Sequence, residues 1–229
     1  GVMTADPRIV PDAAVIDTIY YNEVFQMAEY GAKVIHPRAV EVAMRSNLPI
    51  FIKNTMSDSA GTLITNCDKN RRYRHDKNDK LLTAVAHVGG RTRVRILFDG
   101  SAKEYENDSH LFNAIASEGV SIDMINVNPD FKLFIIVDDD VEKLEAVLNR
   151  YGYNYEIKKN CSKVTIIGNK MRGVPGVMAK AIRALAKHNI EILQTSDSHT
   201  TISCLIESIN TNTAVNALHH EFELGKPAI

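Results

Sequence analysis

With 229 residues, 45% of them hydrophobic and 24% charged, the chain has room for one large domain or two to three small ones and the composition of a soluble globular protein. A formal net charge of −1 gives no electrostatic reason to expect nucleic acid or an anionic membrane as partner, and no stretch approaches the roughly 20 apolar residues that a bilayer demands. Cys67, Cys161 and Cys204 are odd in number and far apart, and no signal peptide is present, which together predict a reducing, cytoplasmic setting without a disulfide framework.

The chain opens on a loop rich in turn formers: Thr4, Asp6, Pro7, Pro11 and Asp12. Its first residue is Gly1, inside a motif-like segment, so a piece of a longer protein is expected. Val24, Phe25, Met27 and Ala28 recur at helical spacing over Tyr21–Tyr30, with Asn22 as the expected cap and Gly31 as the stop. His36-Pro37 punctuates the chain before a second short helix at Ala39–Arg45. Ile50-Phe51-Ile52 and Gly61-Thr62-Leu63-Ile64 read as strands. Residues 67–80 are dense in Asp, Lys and Arg and have no apolar period, which predicts a linker; its run Arg71-Arg72-Tyr73-Arg74 is offset by Asp68, Asp76 and Asp79. Leu81–His87 reads as an extra strand that could pair with either of the sheets that follow.

Beyond it the chain repeats itself at an offset of 70 residues. Arg93-Val94-Arg95-Ile96 corresponds to Lys163-Val164-Thr165-Ile166. Residues 114–123 correspond to 184–193, and Phe131–Val137 to Thr201–Ile206. A helix-length apolar pattern follows each copy, at 141–150 and 212–222. Each copy reads strand, helix, strand, strand, helix: a small α+β sandwich with one layer of helices on one sheet.

Gly1-Val2-Met3-Thr4-Ala5-Asp6-Pro7-Arg8 resembles the late nucleotide loop of aspartokinases, and Gly31-Ala32-Lys33-Val34-Ile35-His36-Pro37-Arg38-Ala39 resembles their second signature. Met171-Arg172-Gly173-Val174-Pro175-Gly176-Val177 is similar to the effector loop of an ACT domain, and Ser196–Ser203 to the strand after it. The resemblance covers essentially the whole chain, and is nearest to the diaminopimelate-sensitive type. It implies tandem ACT domains of ferredoxin-like βαββαβ fold, preceded by the C-terminal part of an α/β amino-acid kinase domain. The expected boundaries are 1–66 for the kinase part, 67–80 for the linker, 81–156 for the first ACT domain and 157–229 for the second, the last two interlaced if strand 81–88 crosses over.

It further implies phosphorylation of the L-aspartate β-carboxylate by ATP with Mg²⁺, feedback control by diaminopimelate, lysine or threonine, and a homodimer or higher homo-oligomer built through the ACT domains. The family's Lys-Phe-Gly-Gly phosphate loop does not occur in these 229 residues, so no catalytic residue is assigned and no turnover by the chain alone is expected. The alternative is a binding module: a regulatory subunit or sensor that holds an amino acid and does no chemistry.

By resemblance the nucleotide contacts are Met3, Arg8, Lys33 and Val34. Arg8 can present a planar fork to phosphate oxygens, and Lys33 a compact positive charge. Read alone, Arg8 equally pairs with a nearby acid and Lys33 is solvated. Many relatives have Tyr at the place of Met3. Thr4 and Asp6 are expected to shape the loop by side-chain to backbone bonds. The effector candidates are Ser121 and Asp123 in the first copy, and Val177, Asn189, Ile190, Ser196 and Asp197 in the second. Pro175-Gly176 precedes a helix start whose free amides suit a carboxylate, the glycine permitting close approach; read alone, it is only a turn. His219-His220 point about 100° apart on a helix and are read as surface or packing residues, without a metal site.

Overall fold

The computed structural model describes residues 1–66, 81–98, 104–169, 171 and 173–225. The expected linker 67–80 with Cys67, the Gly100–Ala102 stretch and Arg172 lie outside them. The chain divides into two compact units: Gly1–Val88 with Lys163–Ile229, and Gly89–Ser162.

In the first unit the opening loop leads into β1 (Thr18–Tyr20), α1 (Tyr21–Glu29), α2 (Pro37–Arg45), β2 (Ile50–Ile52) and β3 (Thr62–Thr65). β3 is central, parallel to β1 and antiparallel to β2. The cap of α1 is not Asn22. Glu23, third in the helix, reaches back so that Oε2 accepts the Tyr20 N–H at 3.2 Å. A carboxylate in the first turn satisfies an orphan donor and suits the positive end of the helix dipole. α2 begins at Pro37, two residues before the expected start, where a missing N–H costs nothing, and His36 Nδ1 accepts the Arg38 N–H at 3.2 Å.

Two strands of 14 residues follow, β4 (Ala84–Leu97) and, later, β7 (Asn154–Ile167). The separate strands expected at Leu81–His87 and Arg93–Ile96 are parts of one continuous β4. Gly89-Gly90 punctuates the sequence without ending the strand. Ala84–Val88 and Lys163–Ile167 belong to the first unit, and the other ends of β4 and β7 to the second.

The larger sheet of the first unit runs in the order β4-β7-β9-β8, with β8 at Gln194–Asp197 and β9 at Thr201–Glu207. Its helices are α5 (Val177–Ala186) and α6 (Thr211–Glu221). Both faces are covered. Val85, Val164, Ile166, Cys204 and Ile206 pack with Val177, Ala181, Leu185, Val215 and Leu218 of α5 and α6. On the other face Ala84, Ala86 and Ile167 pack with Tyr21, Val24, Met27 and Val40 of α1 and α2. The repeat copy keeps its expected single helical layer, α5 and α6; the second layer, α1 and α2, comes from outside the repeat. Thr201–Ile206 is buried at every position, and a strand buried on both faces reads as a continuous run without alternation. Thr165 and Ser203, buried in that sheet, share a hydrogen bond of 2.9 Å, which satisfies both hydroxyls.

The second unit contains α3 (Glu104–Ser117), β5 (Asp123–Val127), β6 (Phe131–Val137) and α4 (Val141–Arg150), with sheet order β5-β6-β4-β7. Val94, Ile96, Phe134 and Ile136 face Leu111, Ile115, Leu144 and Leu148. Burial alternates along Arg91–Leu97, so this unit is one helical layer on one sheet, the sandwich that the repeat predicts.

Candidate functional site

The Met3–Arg8 loop is shaped by its own side chains. Asp6 Oδ1 accepts the Arg8 backbone N–H at 2.9 Å. The same carboxylate grips the Arg8 guanidinium, Nε to Oδ1 at 3.0 Å and Nη2 to Oδ2 at 2.7 Å. This bidentate pair holds the fork in one plane. The Arg8 hydrogen bond holds the Asp6 carboxyl below the usual carboxylate range, and Asp6 raises Arg8 in turn. The Arg8 side chain is 84% exposed, and a guanidinium has five N–H donors, so donors remain beyond those that Asp6 takes. Both readings of Arg8 are therefore compatible: an acid holds it, and it still presents cationic donors to solvent.

Thr4 is buried and ties the loop to the rest of its unit. Its N–H donates to the Ala14 carbonyl at 2.9 Å, and its carbonyl accepts the Val85 N–H at 2.8 Å. Its Oγ1 accepts the Ala14 N–H at 3.0 Å. Met3 bridges Val15 and is half-buried against the α5–α6 cluster. His87, two residues beyond Val85, lies in the electrostatic range of Asp6 and Arg8, and burial pushes its pKa down, which favours the neutral ring at pH 7.

The second segment reaches the same strand. Gly31 has φ +105, and a Cβ there would stand 2.1 Å from the His87 carbonyl oxygen. Only glycine fits, by conformation and by space. Lys33 and Val34 follow in an exposed turn before α2, and no ion pair engages Lys33 among the described residues. Thr4 and Gly31, one from each segment, thus rest on the backbone of Ala84–Val88.

The effector candidates fall into three places. Gly168 at the end of β7 donates to the Thr200 carbonyl of the β8–β9 hairpin at 3.0 Å. The loop before α5, the start of α5 and the end of β8 therefore share one end of the sheet, which brings Val177, Ser196 and Asp197 to the same edge. Val177 is the buried first residue of α5; Ser196 and Asp197 are exposed on β8, paired with Ser203 and Ile202. Gly176 has φ +91 but open space around its Cβ position, so conformation rather than close approach explains the glycine.

Asn189 and Ile190 lie at the other end of α5, about 15 Å away at 1.5 Å rise per residue over ten residues. Asn189, at φ 55, closes the helix, and Ile190 donates to Leu185 O at 3.1 Å while its side chain enters the core. Gly119 does the same work for α3 at φ 72, seventy residues earlier. Ser121 and Asp123 belong to the second unit, both exposed; Asp123 Oδ1 accepts the Met124 N–H at 2.7 Å where β5 shifts register. Within the first unit, then, Val177, Ser196 and Asp197 form one group, and Asn189 and Ile190 stand apart from it.

Residues 1–54 match the Amino acid kinase family and residues 156–220 match the ACT domain. Aspartokinase 1 of Bacillus subtilis is 38% identical over 226 residues, which are 99% of this chain and 55% of that protein. Clostridium acetobutylicum aspartate kinase superposes with a TM-score of 0.84 at 26% identity, over 97% of this chain and 52% of that one. The chain belongs to the aspartokinase family. It spans about half the length of the curated relatives it matches, 55% for the Bacillus protein. E. coli aspartokinase III, solved in complex with lysine and aspartate in its T-state, superposes at a TM-score of 0.73 with 25% identity, over 97% of this chain and 49% of that one.

In this aspartokinase chain three residues matter to the loops without having been singled out for it. Glu23, buried, accepts from Tyr20 N–H and from the Thr83 hydroxyl, tying α1 to the entry of β4. Asn216 donates to the Ile9 carbonyl at 2.8 Å. His219, fully buried, lies 2.9 Å from Thr4 Oγ1 through Nε2. His219 sits four residues after Val215 and eight after Thr211, a buried stripe of α6, and that spacing was the available signal. Among the described residues no group of three or more His, Cys, Asp or Glu stands ready to hold a metal ion. No helix of those residues is long and apolar enough to cross a membrane.

Proposed function

We propose that the chain forms the closing part of the nucleotide site and the regulatory region of an aspartate kinase. The observation that carries this is the Asp6–Arg8 fork, held planar yet largely exposed on a loop that resembles a nucleotide loop. In the reaction a β-carboxylate oxygen of L-aspartate attacks the γ-phosphorus of ATP, the bond from that phosphorus to the bridging oxygen breaks, and ADP leaves with both electrons. The protein's task is to position the phosphates and neutralise charge. Arg8 gives its remaining N–H donors to phosphate oxygens, and Lys33 adds a second positive charge from the turn before α2. Met3 and Val34 complete the candidate contacts. The described residues offer Mg²⁺ no carboxylate cluster, so no step here runs through it. Residues 1–54, which match a kinase family, favour this reading over a purely regulatory subunit.

The same reading makes Gly89–Ser162 the first ACT domain, and Leu81–Val88 with residues 163–225 the second. The amides at the start of α5 take the carboxylate of an amino acid, with Ser196 and Asp197 at the same sheet end for its ammonium group. Ser121 and Asp123, and Asn189 with Ile190, are the remaining candidates. The effector class is a basic or small amino acid: diaminopimelate, lysine or threonine. Edge strands β5 and β8 suit pairing between copies, and light scattering showing only monomer at high concentration would remove that part.

Calorimetric titration of the chain with each of the three amino acids tests the regulatory reading. One of them binds, and Asp197→Ala weakens it. Absence of binding by all three, or binding indifferent to Asp197→Ala, contradicts the assignment.

A further inference from the structure

We propose that His219 is a positioning residue for nucleotide binding, which holds the Met3–Arg8 backbone in place from the last helix of the regulatory fold. The inference rests on the reading of Met3–Arg8 as the nucleotide loop.

The repeat supplies the argument. At the offset of 70, α6 corresponds to α4, and the buried positions Thr211, Ala214, Ala217 and Leu218 of α6 correspond to the buried Val141, Leu144, Val147 and Leu148 of α4. Two further residues of α6 are fully buried, Val215 and His219, whereas their counterparts are the half-buried Glu145 and the exposed Asn149. So α6 carries a second buried stripe that α4 lacks. In the first unit that stripe meets the opening loop: Val215 shares a cluster with Ala5, Val10 and Ala13. Asn216 and His219 add the polar contacts, to Ile9 O at 2.8 Å and to Thr4 Oγ1 at 2.9 Å.

A ring nitrogen in an apolar stripe is costly to bury without a partner, whereas a leucine there is not. The Nε2 of His219 meets Thr4 Oγ1, and its Nδ1 lies 4.0 Å from Asp12 Oδ1. Every polar group of Thr4 is then engaged: N–H and Oγ1 with Ala14, carbonyl with Val85, and Oγ1 again with His219. Thr4 stands two residues before Asp6, whose carboxylate aims Arg8. The chain of contacts is short and lies inside one compact unit: α6, Thr4, Asp6, Arg8. A shift of α6 therefore reaches the cationic fork without passing through a hinge.

The test uses His219→Leu, His219→Gln, Thr4→Val and Thr4→Ser, with hydrogen exchange on the 229-residue chain and steady-state kinetics on the aspartokinase that contains it. Removing the contact by His219→Leu raises exchange at the Thr4 and Ala14 amides about tenfold, the effect of one buried hydrogen bond, and Thr4→Val, which also takes the acceptor from the Ala14 N–H, raises it further. Losing the contact raises KM for ATP about tenfold and leaves KM for aspartate unchanged. His219→Gln and Thr4→Ser, which keep a polar partner, restore both. Equal movement of the two Michaelis constants would reduce His219 to a structural residue, and no change in exchange or in KM for ATP overturns the inference outright. Arg8→Ala run alongside separates the two levels. If it leaves KM for ATP unchanged, the nucleotide reading itself fails; if it raises KM while His219→Leu does not, only the positioning role fails. Should His219→Leu not fold, His219→Met carries the same comparison, because Thr4→Val also strips the acceptor of the Ala14 N–H.

Discussion

The carbonyl of Thr4 accepts the amide of Val85 at 2.8 Å, so the candidate nucleotide loop is hydrogen-bonded to β4 of the larger sheet. Glycine 31, at the head of the second candidate segment, packs on the His87 carbonyl of the same strand. Ala84–Val88 is thus a shared floor. Its even positions, Ala84 and Ala86, face α1 and α2, while Val85 faces α5 and α6. A displacement of that strand moves both segments together, which would give the proposed effector site a physical route to the proposed nucleotide site.

Gly31→Ala should damage this floor. The new Cβ meets a backbone oxygen, and φ +105 is strained for any L side chain. A loss of at least about 2 kcal/mol in urea unfolding is expected, since neither the carbonyl nor the turn can yield cheaply. A change within about 0.5 kcal/mol, the range of ordinary surface substitutions, would show that the turn relaxes.

Glu23→Ala tests the second tie to β4. It strands the Tyr20 N–H and the Thr83 hydroxyl, both partners of the buried carboxylate. Leaving such donors unsatisfied costs about 1–3 kcal/mol. Glu23→Gln, which keeps an acceptor oxygen, should cost less. Equal stability of the wild type and the alanine variant in chemical denaturation would contradict the role.

Asp6 gives a pH signature. Arg8 lowers its folded-state pKa, so the contribution of the pair to stability is present above the unfolded carboxylate value of about 3.9 and is lost as pH falls through the lowered folded value. Carboxyl NMR titration should place Asp6 below an ordinary aspartate, and Arg8→Ala should move it up. An Asp6 midpoint indifferent to Arg8→Ala would mean that the pair does not form in solution.

Much of this was legible because the physics is local. Arg93-Val94-Arg95-Ile96 alternates, and that part of β4 has one buried face; Thr201–Ile206 does not, and its strand has two. The Asp6 turn follows from backbone preferences and the 70-residue repeat from the sequence's self-similarity, whereas α2 starts at Pro37, two residues before the expected Ala39. What escaped depends on partners far along the chain. Gly89-Gly90 looks like a break, yet long-range pairing carries β4 through it. Asn22 has the better capping propensity, but Glu23 is fixed by Thr83, sixty residues on. His219 reads as a surface or packing residue until the loop 215 residues away supplies its partner.

The account stands most directly on Arg8. In the aspartokinase containing this chain, Arg8→Ala should lower kcat/KM for ATP by about tenfold to a hundredfold, the loss of a hydrogen bond from a charged group to phosphate, while KM for aspartate stays near its wild-type value. A folded Arg8→Ala enzyme with unchanged ATP kinetics would contradict it, and would leave the fork as a surface ion pair with Asp6.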